Sequence, residues 1–260
     1  MPIKENTSCT CTTKTIGIIG GGAFGGLCAE QLSLYTDVVL YDKFLDLKPT
    51  ITENRISIGN LEQAASQSIV ILAVPVQATA QTAAALVQYL QPGAVVIDIA
   101  SIKTPIVEKL EAILPENIEY LSLHPLFGPN SFIRRSKKEN AVVCCHMRGE
   151  KSKNVIRFLT EALKLRIIKS TPEKHDREMA LIQTLSHILG RVTQDLTEGT
   201  DLTMTTPSFE HLLRTAEMVA GDSDALFAAI LEQNPYAPEV RKRIADAFAA
   251  IERFDGPSKL

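Results

Sequence analysis

The sequence predicts a doubly wound α/β fold with a parallel sheet, followed by an all-α C-terminal half. Three observations lead there. Short β-branched runs alternate with helix-length segments from residue 15 to about residue 170. A glycine-rich turn follows the first of those runs, and no convincing strand appears after the last. At 260 residues, 45% of them hydrophobic and 22% charged, the chain has material for two cores, and its bulk is not disordered.

The elements follow in order. Residues 1–14, polar and threonine-rich without period, read as a flexible leader. A strand is expected over 15–20, a helix over 23–34 and a second strand over 37–42, while 43–60 is mixed and carries no clear element. Residues 68–74 (SIVILAV) are apolar on both faces, as a strand covered from two sides must be. An alanine-rich helix over 77–90 is stopped by Gln91-Pro92-Gly93. Then come strand 94–98, helix 105–114, strand 119–123, a polar loop, strand 141–145, helix 152–163 and strand 166–169. Thr171 and Pro172 supply an N-cap and a first-turn proline. Helices are expected over 172–199, 208–220, 222–233 and 237–253, so 15–170 and 171–260 read as separate domains.

Charge and cysteine content narrow the functions. The net charge is −3, so no general field draws nucleic acid or an anionic membrane surface. The longest apolar runs are strand-sized, and a soluble protein is expected. Five cysteines, Cys9, Cys11, Cys28, Cys144 and Cys145, show no CxxC spacing; free thiols in a reducing cytoplasm follow. Cys144-Cys145-His146 is read as a strand with alternating faces and not as a metal site. The run Arg134-Arg135-Ser136-Lys137-Lys138 reads as a solvated loop, able to place positive potential beside an anionic substrate.

The turn after the first strand, Gly20-Gly21-Gly22-Ala23-Phe24-Gly25, fits GxGxxG in the context that pattern needs. Gly20 allows the tight turn, Gly22 lets backbone amides approach a pyrophosphate, and Gly25 lets the helix lie close to the strand. Ala23 and Phe24 complete this cofactor-binding turn, at a helix N-terminus suited to phosphate. Asp42, ending the second strand, is placed to accept a ribose 2′-hydroxyl and to repel a 2′-phosphate, so NAD is expected in preference to NADP. The fold is therefore expected to be of Rossmann type. Val74 and Pro75, at the carboxyl end of strand 68–74, are expected beside the nicotinamide ribose.

Chemistry converges on the same sheet edge. Ser101 follows strand 94–98 with a hydroxyl that donates and accepts, or else caps the next helix. His124 follows strand 119–123 inside His124-Pro125-Leu126-Phe127-Gly128-Pro129 and can take a proton near neutral pH. On helix 172–199, Leu181, Ile182, Leu185, Ile188, Leu189, Val192 and Leu196 form one apolar arc. Asp176, Gln183, His187 and Gln194 lie on the opposite line, which reads either as a solvated face or as the wall of a polar cleft. His146, His175 and His211 are taken as structural.

With GGGAFG, AVP, DIASIK, HPLFGP and HDREMALIQTLSH in this order, the chain resembles the prephenate/arogenate dehydrogenases of tyrosine biosynthesis over roughly residues 15–250. The resemblance implies NAD-dependent oxidative decarboxylation of prephenate to 4-hydroxyphenylpyruvate, with a helical domain that makes a homodimer. It makes His124 the group that takes the substrate's hydroxyl proton and Ser101 the residue that orients it. His187, with Gln183 nearby, would help hold substrate or nicotinamide, and Asp176 would be structural at the domain junction. Where the family carries a carboxylate-binding arginine this chain has Glu217, with Arg214 one turn earlier as the substitute. An arogenate dehydrogenase, a different two-domain dehydrogenase and a dinucleotide-binding sensor with a decayed site are the competing readings.

Overall fold

A computed structural model describes residues 15–44, 55–129, 132 and 141–253. The expected leader over 1–14, Cys9 and Cys11 within it, and the basic run Arg134 to Lys138 lie outside the described residues. Eight strands form one sheet in the order β3-β2-β1-β4-β5-β6-β7-β8. They are β1 (Ile16–Ile19), β2 (Val38–Tyr41), β3 (Ile56–Ile58), β4 (Ile69–Leu72), β5 (Val95–Asp98), β6 (Glu119–Pro125), β7 (Ala141–Arg148) and β8 (Arg166–Lys169). Ile16 pairs with Val38 on one side and Ile69 on the other, so β1 lies at the centre of the first crossovers.

The central strands are apolar on both faces because helices cover both. Ile19, Val70 and Val96 point into one core with Ala83 and Leu86 of α3 (Val76–Leu86) and Leu110 of α4 (Thr104–Ile113). Their neighbours Ile18, Ile71 and Ile97 point into the other, with Ala29 and Leu32 of α1 (Ala23–Ser33). Here α2 is Leu61–Ala65 and α5 is Glu150–Glu161. Two expectations need correction. β7 runs antiparallel to β6, so the sheet is mostly, not wholly, parallel. No crossover helix precedes β7 among the described residues, and an antiparallel neighbour requires none. Residues 43–60 also conceal β3, and Asn60 forms a reciprocal capping box with Gln63 that starts α2.

The chain after β8 is helical: α6 (Pro172–Thr197), α7 (Pro207–Val219), α8 (Asp224–Ala228) running into a π-helical turn Ala229–Gln233, and α9 (Ala237–Glu252). Thr171 and Thr206 cap α6 and α7 through their side-chain oxygens, each followed by proline. The expected single helix over 222–233 is thus two segments of different pitch.

α6 is inverted relative to a solvated helix. Its polar line faces inward: Asp176 and His187 are buried, Gln183 and Gln194 are half-buried, and Gln194 donates to the Ala216 carbonyl of α7. Its apolar arc faces outward, with Leu181 46%, Ile182 55% and Leu196 75% exposed. A groove beside that arc is lined by Leu181, Leu185, Val240, Ile244, Phe248 and Ile251, between α6 and α9. The reading of the polar line as a solvated face is therefore overturned. Among the described residues no helix is long and apolar enough to cross a membrane.

Candidate active site

The glycine turn sits where the strand order reverses, between the carboxyl ends of β1 and β4. Gly20 has φ +107°, and a Cβ there would stand 2.4 Å from the Ala73 carbonyl oxygen. A Cβ on Gly25 would stand 1.9 Å from the Gly20 carbonyl oxygen. Only glycine permits this closure of helix on turn. Nothing lies within 4 Å of a Cβ built on Gly22, the residue that precedes α1. No acidic side chain occupies the first turn of α1, leaving the helix N-terminus open to an anion. Asp42 follows β2 and accepts the Gly21 and Phe44 amides, each at 2.7 Å, one on each carboxylate oxygen. These bonds aim the carboxylate along the rim of the turn. The donor set and the open space fit a dinucleotide.

Ala23 opens α1, and the Phe24 ring packs on Phe127, centroids 6.0 Å apart. That contact ties the glycine turn to the loop after β6. Val74 is half-buried just after β4, and exposed Pro75 is the N-cap residue of α3.

His124 lies in β6, 6% exposed. Burial first, then the neighbouring His175 imidazole, with which it would have to share a positive charge, and the Lys103 ammonium hold its imidazole well below the usual 6.5. It is a neutral base at physiological pH. Its Nδ1 is 2.7 Å from His175 Nε2, and His175 Nδ1 is 2.8 Å from Asp176 Oδ1. Asp176 also accepts the backbone amides of Lys103 and Thr104, at 2.8 and 2.7 Å, which fastens α6 to the start of α4. Burial raises the Asp176 carboxyl, but the bonds from His175, Thr104 and Lys103 outweigh it and hold the group below its ordinary range.

A second buried cluster lies beside the first. Lys103 Nζ is 2.6 Å from Asp98 Oδ1, with both side chains fully buried. The Tyr120 hydroxyl donates to Asp98 Oδ2 at 2.7 Å. Burial, reinforced by the Asp98 charge, pushes the Tyr120 phenol up, so it remains a donor.

Ser101 follows β5, and its Oγ is buried without a hydrogen-bond partner among the described residues. The orienting bond on His124 comes from His175, expected to be structural, and not from Ser101. His187 has both ring nitrogens engaged, Nδ1 with the Gln183 carbonyl at 2.8 Å and Nε2 with Asp222 at 3.1 Å. Gln183 is half-buried, and Arg214 is exposed on α7. His124, His175, Asp176 and Lys103 are thus brought together, whereas the hydrogen bonds of His187 stay within the helical half. The role of His175 left one signal, its adjacency to Asp176 near the start of a capped helix.

Fold and site define an α/β protein whose glycine turn fits a dinucleotide, with a buried imidazole at the same sheet edge. Comparison with known proteins carries this further. Residues 50–166 match the family described as prephenate dehydrogenase, nucleotide-binding domain. A probable arogenate/prephenate dehydrogenase of Methanocaldococcus jannaschii is 28% identical over 200 residues, covering 71% of this chain and 43% of that protein. A cyclohexadienyl dehydrogenase of Zymomonas mobilis is 26% identical over 90% of this chain and 86% of its own length. The crystal structure of Aquifex aeolicus prephenate dehydrogenase, in complex with hydroxyphenyl propionate and NAD+, superposes with a TM-score of 0.71 at 18% identity, covering 94% and 91% of the two chains. The chain is thus similar to the prephenate/arogenate dehydrogenases in sequence and fold. It spans less than half the length of the archaeal protein and of two Arabidopsis thaliana arogenate dehydrogenases that it also matches.

Proposed function

We propose that the protein is an NAD-dependent dehydrogenase that oxidatively decarboxylates prephenate to 4-hydroxyphenylpyruvate. The observation that carries the reading is His124, a buried neutral imidazole at the carboxyl end of β6, on the sheet edge that also bears the glycine turn and, after β5, the buried Ser101 hydroxyl. Residues 15–170 hold the cofactor, through Gly20, Gly22, Ala23, Phe24, Gly25, Asp42, Val74 and Pro75. When bound, the nicotinamide supplies a two-electron hydride acceptor.

The chain's own residues supply position and a proton site. His124 accepts the ring hydroxyl proton while the carbinol carbon gives up hydride. Loss of carbon dioxide pushes electrons back onto the ring oxygen, which recovers that proton as the ring becomes aromatic. His124 therefore ends neutral, and the net reaction releases no proton. Ser101 offers its free Oγ to the same hydroxyl. Gln183, His187 and Arg214 belong to the wall that the helical half, residues 171–260, presents to the substrate side chain. The exposed arc of α6 and its groove fit a homodimer made through that half, because a second copy would bring an equal apolar stripe to it.

Glu217 supports a second reading, arogenate, whose ammonium group a carboxylate suits better than a keto group. The test is absorbance of reduced cofactor with NAD or NADP and either substrate. Turnover of prephenate with NAD, faster than with NADP, is expected. A strong preference for arogenate selects the second reading, and NAD binding without turnover of either substrate would leave a dinucleotide sensor.

A further inference from the structure

The three side chains His124, His175 and Asp176 form a linear chain whose protons can be assigned by counting donors and acceptors. Asp176 receives two backbone amides and one imidazole nitrogen, so all three of its partners must be donors. His175 Nδ1 then carries a hydrogen. A neutral His175 has its lone pair on Nε2, which faces His124 Nδ1 at 2.7 Å. One hydrogen must lie between those two nitrogens, and it belongs to His124 Nδ1. The free lone pair of His124 is consequently on Nε2.

We infer that His175 and Asp176 are positioning residues that lock His124 in its Nδ1–H tautomer and leave Nε2 as the base that meets the substrate. This rests on the proposed role of His124 as proton acceptor. The opposite arrangement, a protonated His175 donating to His124 Nδ1, would place an imidazolium in a buried cluster that already holds the Lys103 ammonium. It would also move the hydrogen of neutral His124 to Nε2 and remove the base. Two backbone amides already offset much of the Asp176 charge, so no second cation is needed there. The other charged or titratable groups coupled to this cluster are Asp98 at the end of β5 and Lys103 beyond it, Tyr120 on β6, and Cys144 and Cys145 on β7.

Asp176 does not become protonated in this scheme. Three hydrogen bonds make it a poor proton acceptor, so the positive charge formed during the reaction stays on the imidazole pair. The pair's contribution is orientation and tautomer, as in other histidine–carboxylate arrangements.

The test is 15N NMR of the imidazole nitrogens in the ligand-free wild-type chain at neutral pH, which needs neither turnover nor a variant. A protonated Nδ1 and an unprotonated Nε2 on His124 are expected. The reverse pattern on His124, or two protonated nitrogens on His175, overturns the inference whatever the turnover. Absent turnover with the expected pattern would instead overturn the reading of the function. His175→Leu, which cannot accept from Nδ1–H, should lower kcat roughly 10- to 100-fold with KM changed less than about twofold. It should also let the Nε2–H tautomer appear. His175→Gln, whose amide oxygen can accept the same bond, should recover part of kcat and the wild-type tautomer. Equal losses in the two variants, with the tautomer unchanged, would reduce His175 to a packing role.

Discussion

The two halves of the molecule treat their apolar residues in opposite ways. In the α/β half, β1, β4 and β5 bury both faces, and the helices over them point their own apolar residues inward. In the helical half, α6 buries Asp176, Thr184 and His187 and leaves Leu181, Leu185 and Leu196 in contact with water. A leucine contributes about 1.5–3 kcal/mol only when fully buried, so one half closes its own core and the other leaves much of that stabilisation unused. The same helix explains why. α6 must reach the α/β half with Asp176, α7 with Gln194 and the turn after α7 with His187, and one face cannot be both polar and core. The apolar face is left exposed.

The largest expected effect separates chemistry from packing. His124→Asn should lower kcat roughly 10²- to 10⁴-fold, measured by steady-state reduction of NAD, while circular dichroism stays that of wild type. Retained activity would move the site away from β6. Next comes the helical surface. Leu181→Asp with Leu185→Asp should cost a dimer at least about 2 kcal/mol, seen as a shift to monomer in sedimentation velocity. A wild-type chain that already sediments as a monomer breaks the comparison, because the exposed arc would then need no cover.

Gly25→Ala probes the half that closes on itself. The added methyl meets the Gly20 carbonyl oxygen, so stability should fall by about 1–3 kcal/mol in urea titration, with weakened NAD binding. The smallest effect is on acid stability. An unfolded His124 protonates near its ordinary 6.5, whereas the native one stays neutral well below it. Its contribution is therefore complete above about pH 6.5 and is lost as pH falls. The loss is about 1.4 kcal/mol per unit until the native group protonates too. Urea midpoints of wild type and His124→Asn at descending pH should converge by that amount. Parallel profiles would show that the native imidazole titrates normally.

Much of this is legible in the sequence. The strands of the α/β half and the glycine turn follow from local pattern, because β-branched runs and glycine spacing act over a few residues. β3 and α2 were not legible. Three residues of strand and five of helix are too short for a period to show, although Asn60 and Gln63 carried a cap signature. At the site, His124 was found from its place after an apolar strand. His175 was passed over because its partner is 51 residues distant, and no periodicity reports such a pairing.

Composition and short-range pattern alone determined the α/β class, the glycine cradle, the helical second half and His124 at the sheet edge. Propensity, turn geometry and alternation are local, and they leave their trace in neighbouring residues. Only the folded chain decided that β7 turns back against β6, that α6 hides its polar line, and that His175 rather than Ser101 holds His124. Those outcomes depend on which distant groups can satisfy a buried donor or acceptor. That is settled when the elements pack, since an unpaired polar group is costly only once water has left.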